Sequence, residues 1–309
     1  MKRANRVKVS APASAANLGA GYDVFALALR GPSDELTLRR ADGGIEMSVS
    51  GFRIDVSGGR DVVAGVVEAV IDGERIRGGV KLALRKGVPV GKGLGSSAAS
   101  SAAAAFGMNV LYGLGLDQKQ LIEYAGVGEK IASGTAHFDN VAAAIAGGFV
   151  HVTKGHEVIS LKPPAGLALC LVTPTVDLPS QKTKYARSLV PKTLPVAEVV
   201  ETVGSAGMMV HGFSTGNLEE VGKGMKGGFV DPRRAVMIPG YKKVARSAMD
   251  SGAAGVCISG AGPTLLAVAS TETASLVLKA MRGAFRSEGV LSSGFITSAG
   301  EGCKTLDRA

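Results

Sequence analysis

The polar and apolar positions of the chain fall into short, changing patterns. Arg6–Ala11 alternates with a period of two and predicts a half-buried strand. Asp34–Arg40 and Gly44–Ser50 alternate in the same way around Ala41-Asp42-Gly43, which predicts a hairpin. Asp61–Asp72 changes to helical spacing, with Asp61 placed to cap its first turn. Gly79–Arg85 is again a strand. Gly87–Gly95 reads as a loop, and Ser96–Tyr112 as a helix of Ala and Ser. Asp117, with Gln120 three residues on, forms a capping-box pattern that opens a helix to about Ala125. Asn140–Ala146 predicts a short helix, and Gly148–Thr153 and Glu157–Leu161 two strands.

Pro163-Pro164 punctuates the chain, and the pattern changes beyond it. This predicts two domains, residues 1–157 and 158–309. The second half opens on an apolar strand, Gly166–Thr173. A segment containing Pro174, Pro179 and Pro191 then reads as irregular. Helices follow at Val196–Phe213, Leu218–Met225, Tyr241–Ser251 and Glu272–Arg286. Strands follow at Val256–Ser259, Leu265–Ala269 and Gly294–Ser298. Helices on one face of short, mostly antiparallel strands make both halves α+β.

Composition narrows the class. The 309 residues include 44 glycines, about twice the usual ~7%. With no Trp and only 5% aromatics, the core must be small and aliphatic, with many close backbone approaches. A hydrophobic content of 46% argues against disorder. No apolar stretch is long enough to span a bilayer, and Met1–Val9 has basic residues without the apolar core of a signal peptide. Cys170, Cys257 and Cys303 are far apart, as in a reduced, cytoplasmic protein. The charge of +9 raises nucleic acid as a partner, but basic runs with interleaved aromatics are absent. Acidic small molecules account for the charge equally well.

Three segments carry chemistry. In Pro89-Val90-Gly91-Lys92-Gly93-Leu94-Gly95-Ser96-Ser97-Ala98-Ala99, alternate glycines strip a loop of side chains just before a helix. Free N–H groups and the positive helix end make such a place a phosphate cradle. The spacing fails the Walker A pattern. Gly93–Ala98 satisfies GxGxxA, but Pro89 stands where the entering strand should run. An N-cap in a flexible loop is the plain alternative, although one glycine would serve it. Near the N-terminus, Asn17 and Asp23 sit in a polar, glycine-containing turn. Either side chain suits a small polar ligand or an Asx-turn. Near the C-terminus, Ser259-Gly260-Ala261-Gly262-Pro263 is a glycine turn between two strands, readable alone as a tight hairpin. His137 and Asp139 are spaced poorly for a metal pair or dyad on a helix and read as structural.

Taken in order, these segments resemble the three motifs of the GHMP kinase superfamily. Pro-x-x-x-Gly-Leu-Gly-Ser-Ser-Ala-Ala is similar to its ATP motif without a gap. Ala11–Asp23 resembles the homoserine kinase form of its first motif, with Ala15-Ala16 replacing a Ser pair and Ala20 a Pro. His137-x-Asp139-Asn140-Val141-Ala142, Thr183-x-x-x-Arg187-x-x-x-Pro191 and Pro232-x-Arg234-x-x-x-Ile238-Pro239-Gly240 resemble further segments of that family.

The resemblance implies a two-domain fold, with an N-terminal half like domain 2 of ribosomal protein S5 and a ferredoxin-like C-terminal half. A last strand would return to the first. It implies ATP and Mg²⁺ as cofactors, with Pro89–Ala99 holding the nucleotide and Ser97 and Glu129 the metal. On pattern alone, Glu129 reads as an exposed helix residue. It implies L-homoserine as substrate and threonine biosynthesis as the setting. Arg187 and Arg234 would bind the carboxylate, and Asp23, Asn17 and Asn140 would accept from the ammonium and hydroxyl, beside Gly260. Arg187 falls in the irregular segment, as a binding-loop residue would, while Arg234 beside Arg233 also reads as plain surface charge. Asp23 is the candidate acceptor for the hydroxyl proton. A homodimer is implied too. The alternatives are another GHMP small-molecule kinase, acting on shikimate or in the mevalonate pathway, and a non-catalytic binding paralogue.

Overall fold

The computed structural model describes residues 4–52, 61–134, 136–179 and 181–309. Met1–Arg3 of the basic N-terminus lie outside these. Strands β1 (Arg6–Asn17) and β2 (Gly21–Ala41) form a long antiparallel ribbon, with Val7 opposite Leu38 and Ala15 opposite Leu27. Next to β2 lies β4 (Gly79–Lys86), and beyond it β3 (Ile45–Gly51). The short strands β5 (Phe149–Val152) and β6 (Val158–Leu161) extend β2 at its other end.

The expected hairpin of Asp34–Arg40 with Gly44–Ser50 does not form. β3 runs parallel to β4, and β4 takes the place beside β2. Parallel strands need a crossover, and α1 (Val62–Gly73) supplies it. The Asp42-Gly43 turn only redirects the chain.

Helices α2 (Ser96–Tyr112) and α4 (Phe138–Ala146) lie on this sheet, and α1 and α3 (Gln118–Ser133) pack against α2. Asp61 Oδ1 accepts from the amides of Val63 and Ala64, as its cap position predicts. Asp117 and Gln120 close a capping box, but α3 runs eight residues beyond Ala125. The extra two turns bring Glu129 inside. The Ala/Ser composition of α2 serves burial on nearly all sides. A Cβ on Gly107 would collide with Leu38, so glycine lets α2 lie directly on the sheet.

The second sheet is antiparallel, in the order β10 (Ser292–Thr297), β7 (Leu167–Pro174), β9 (Leu265–Ser270), β8 (Ala253–Ile258). Alternate residues of β7 serve two cores. Leu167, Leu169 and Leu171 join the core of the first half, while Ala168, Cys170 and Val172 face helices α9 (Tyr241–Asp250) and α10 (Ala274–Ser287). Phe213 of α6 (Val196–Thr215) stacks on Phe149 of the first sheet, with ring centroids 4.1 Å apart. α7 (Leu218–Gly224) lies against β8.

Two elements were not anticipated within the proline-bounded and charged segments. These are α5 (Lys182–Ser188) and the single turn α8 (Val230–Arg234). The segment Gly294–Ser298 stays in the second sheet as β10. A later strand, β11 (Lys304–Arg308), pairs with β1 in the first. The division at 157 falls in the turn between β5 and β6, and by sheet membership the change comes after Leu161.

Candidate active site

The three glycine turns meet in space. Gly91, Gly93 and Gly95 all have positive φ, at 71°, 78° and 63°. Gly95 is the N-cap of α2 in the left-handed conformation, with no side chain filling the cap. The first amides of α2 are therefore left to a ligand. A Cβ on Gly95 would collide with Ser14 Oγ and stand 2.9 Å from Asn140 Oδ1. The third turn docks on this loop: Ser259 Oγ donates to the Gly93 carbonyl at 2.6 Å, and Thr264 N to that of Lys92 at 3.4 Å. It also docks on the first, through Gly260 N to Ala16 O at 3.0 Å and Asn17 Nδ2 to Gly260 O at 2.9 Å.

Beneath the loop lies an ion pair that motif reading missed. The Lys86 ammonium donates to Asp34, to Ser100 Oγ at 2.9 Å and to the Ser96 carbonyl. Asp34 Oδ1 accepts from the amides of Gly87 and Val88 at 3.0 and 2.9 Å. Burial holds the Lys86 amine below its ordinary range, and Asp34 acts against that shift. The available signal was a charge at an inward position of an alternating strand: Val80, Leu82, Leu84, Lys86.

A cavity of about 930 Å³ opens where the turns converge. Of the residues singled out from sequence, it gathers Asn17, Asp23, Val90, Gly91, Gly93, Leu94, Gly95, Ser96, Ser97, Glu129, Asn140, Arg187, Arg234 and Gly260. Pro89, Lys92, Ala98 and Ala99 do not line it. Ala98 and Ala99 are buried inside α2, where their size permits close packing.

On the opposite wall the charged side chains hold one another. Arg187 lies on helix α5 rather than in an irregular loop. Its Nη2 donates to both carboxylate oxygens of Asp23, at 2.9 and 2.8 Å. Asp23 itself has φ 56°, held by its amide donating to Asn17 Oδ1 at 3.1 Å. Arg234 is 3% exposed, which removes the surface-charge reading. Its Nε donates to Ala186 O at 3.0 Å and its Nη1 to Gly260 O at 2.9 Å. Both guanidinium groups lie over the Tyr22 ring, 5.7 and 5.3 Å from its centroid. Asn140 Oδ1 accepts from Ser14 Oγ at 2.8 Å, and its amide Nδ2 reaches Asp139 at 3.2 Å. Burial and the neighbouring Asp23 push the Asp139 carboxyl up to about 6.

Glu129 is buried, contrary to the exposed helix position its pattern suggests. Burial raises its carboxyl to about 7, against a hydrogen bond from Ser97 that lowers it. Its Oε1 has no hydrogen-bond partner among the described residues. The nearest basic group is His137, whose Nδ1 stands 3.9 Å from Oε2. An orphaned carboxylate oxygen beside a hydroxyl, both facing the cavity, is a hard-oxygen pair able to hold a small divalent cation. Among the described residues no group of three or more His, Cys, Asp or Glu could hold a metal. Further ligands must come from substrate or water.

The GHMP kinase N-terminal domain model matches residues 61–148, and the GHMP kinase C-terminal model residues 209–287. The first takes in the glycine loop before α2 and Glu129, the second the third turn. Fold and cleft together are those of a GHMP kinase. A homoserine kinase of Halorubrum lacusprofundi is 40% identical over 304 residues, 97% of this chain and 99% of that one. One from Methanococcus maripaludis is 36% identical over 86% of this chain and 89% of its own. The crystal structure of homoserine kinase from Cytophaga hutchinsonii superposes with a TM-score of 0.89 at 32% identity, covering 99% of both chains. The chain belongs to the homoserine kinase family. Leishmania major mevalonate kinase, at 16% identity and a TM-score of 0.68 over 97% of both chains, shares the fold.

Proposed function

We propose that the protein transfers the γ-phosphoryl group of ATP to the side-chain hydroxyl of L-homoserine, giving O-phospho-L-homoserine and ADP for threonine synthesis. One observation carries the choice of substrate: Asp23 and Arg187 form an ion pair inside a phosphate-binding cleft, with Arg234 beside them. An amino-acid zwitterion can enter that pair and replace one ion pair by two, ammonium to Asp23 and carboxylate to Arg187. A planar guanidinium suits the two carboxylate oxygens. Arg234 is tied to two carbonyls and serves the same carboxylate from a fixed position.

The amides at Gly93, Gly95, Ser96 and Ser97 hold the phosphates, and the Lys86–Asp34 pair keeps that loop in place. Ser97 and Glu129 would hold Mg²⁺, which supplies charge neutralisation on the phosphate oxygens when bound. The homoserine hydroxyl oxygen then bonds to the γ-phosphorus as the bond to the β–γ bridging oxygen breaks. ADP leaves with that electron pair. The hydroxyl proton passes to Asp23, a carboxylate lining the same cleft. Positioning and charge neutralisation account for most of the rate in such a reaction. A homodimer acting in the cytoplasm is part of the same reading and rests on the family resemblance. Sedimentation velocity measures the dimer.

The test is ADP release by the purified protein with ATP and Mg²⁺, presented separately with L-homoserine, shikimate and mevalonate. Turnover with homoserine and background rates with the others are expected. No release with homoserine would refute the proposal.

A further inference from the structure

Lys182 belongs to none of the motifs, yet it lines the cavity at the first position of α5. Its ammonium donates to the Gly262 carbonyl, in the turn whose Ser259 hydroxyl holds Gly93. A Cβ on Gly93 would stand 2.8 Å from that same Gly262 oxygen. The ammonium therefore lies across the seam where the phosphate loop meets the third turn. One carbonyl occupies one of its three N–H donors and leaves two for a ligand.

No acidic side chain accompanies it: among the described residues Lys182 has no ion-pair partner. The charged groups that act on it are Arg234 and Lys92, both cations. Together with burial, the larger cause, they bring its amine down to about 7. The Lys182 ammonium and the Arg234 guanidinium line the same cleft, with Lys92 close behind its wall, and these cations repel one another until an anion joins them. Farther along α5, Arg187 is matched by Asp23, whereas Lys182 has only the Gly262 carbonyl.

We propose that Lys182 is a ligand of the nucleotide's terminal phosphate, reaching from α5 across the seam to the phosphate loop, so that the cleft distinguishes a triphosphate from the diphosphate it must release. This rests on the ATP-dependent reading above. The loop amides and Ser97 serve the inner phosphates, which ATP and ADP share. Lys182 adds an interaction that only the third phosphate can use. Loss of that phosphate on transfer leaves the ammonium with the Gly262 carbonyl alone and weakens the hold on ADP.

The test is calorimetric titration of the parent, K182M and K182R with Mg-ADP and with the β,γ-imido analogue of ATP. K182M is expected to bind the analogue about 10- to 100-fold more weakly, the range of a hydrogen bond to a charged group, while ADP affinity changes less than about twofold. K182R restores most of the analogue affinity, which a packing role for the side chain would not. The proposal is overturned if K182M binds the analogue as the parent does, or if ADP affinity falls equally. Should K182M fail to fold, the same comparison is made with K182Q. A parent that binds the analogue through Lys182 but does not phosphorylate homoserine refutes the substrate reading and leaves this one standing. A parent that binds neither nucleotide refutes both.

Discussion

On the wall of the cleft proposed to hold the nucleotide, the groups offered to a ligand by the glycine loop are backbone amides. Gly91, Gly93 and Gly95 all have positive φ, and the amides that follow them are fixed by α2 and by the buried Lys86–Asp34 pair. On the facing wall they come from charged side chains carried on the short helices α5 and α8 and on the strained turn at Asn17–Asp23. The glycines of the first wall are set before any ligand arrives and carry no side-chain charge to rearrange. The second holds a latent site, because Asp23 and Arg187 satisfy each other until a ligand with both charges replaces them. In the proposed reaction one wall would specify phosphate through geometry and the other an amino acid through charge, with Lys182 of α5 reaching across to the terminal phosphate.

The sharpest way to break this contrast is on the backbone wall. Gly95→Val places a Cβ against Ser14 at a φ of 63° and moves the first turn of α2. Turnover should fall about 100-fold or more, as small misplacements in such sites do, with nucleotide affinity falling alongside it. Steady-state kinetics and calorimetry check this. On the charged wall Arg234→Met removes a 3% exposed guanidinium, takes from the Ala186 carbonyl its side-chain donor and leaves the Gly260 carbonyl with Asn17 Nδ2 alone. Depriving a buried acceptor of its donor costs about 1–3 kcal/mol, so stability and homoserine KM should both suffer in denaturant melts and kinetics.

Arg187→Met should separate the two. Its pair with Asp23 is about one third exposed, at 32% and 40%. Such pairs contribute about 0–1 kcal/mol to folding, so the melting temperature stays near the parent's. The homoserine KM should rise about 10- to 100-fold, while the KM for ATP is unchanged. Equal effects on both substrates would dissolve the contrast between the walls.

The smallest effect is on stability with pH. Burial raises the carboxyls of Asp231 to about 7 and Asp139 to about 6. A carboxyl whose folded value lies above its unfolded value of about 4 binds its proton more tightly in the folded state. Its contribution is full below that unfolded value and is lost as pH rises through the folded one. The ligand-free protein should therefore lose stability between about pH 4 and 7, read as a falling denaturant midpoint. Asp231→Asn should flatten the slope, since an amide oxygen can still accept from the Ile258 amide.

The two walls also differed in how far the amino-acid sequence disclosed them. Glycines at fixed spacing before an Ala/Ser helix are a local pattern, so the loop and the start of α2 were legible, although of Pro89–Ala99 the residues Pro89, Lys92, Ala98 and Ala99 stand outside the cavity. The capping residues Asp61 and Asp117 were legible for the same reason. What was not legible depends on contacts distant in sequence. β3 takes β4 as a parallel neighbour because α1 returns the chain, although Asp42-Gly43 has hairpin chemistry. Prolines masked α5, so Arg187 was read in a loop and Lys182 was not singled out. Glu129 is buried only because α3 continues past Ala125 and turns it under α2. The glycine excess has a partial structural account as well: Gly107, and Gly128 against Ser101, let helices approach a sheet or one another where any side chain would intrude.

The most direct test of an amino-acid site facing a phosphate site is to remove one charge of the substrate at a time. The value of kcat/KM would be measured for L-homoserine, for 4-hydroxybutyrate, which lacks the ammonium, and for 3-aminopropan-1-ol, which lacks the carboxylate. Each truncated compound should be at least about 100-fold poorer than homoserine, because each leaves one of Asp23 and Arg187 unpaired in the complex. Equal turnover of all three compounds would contradict the account.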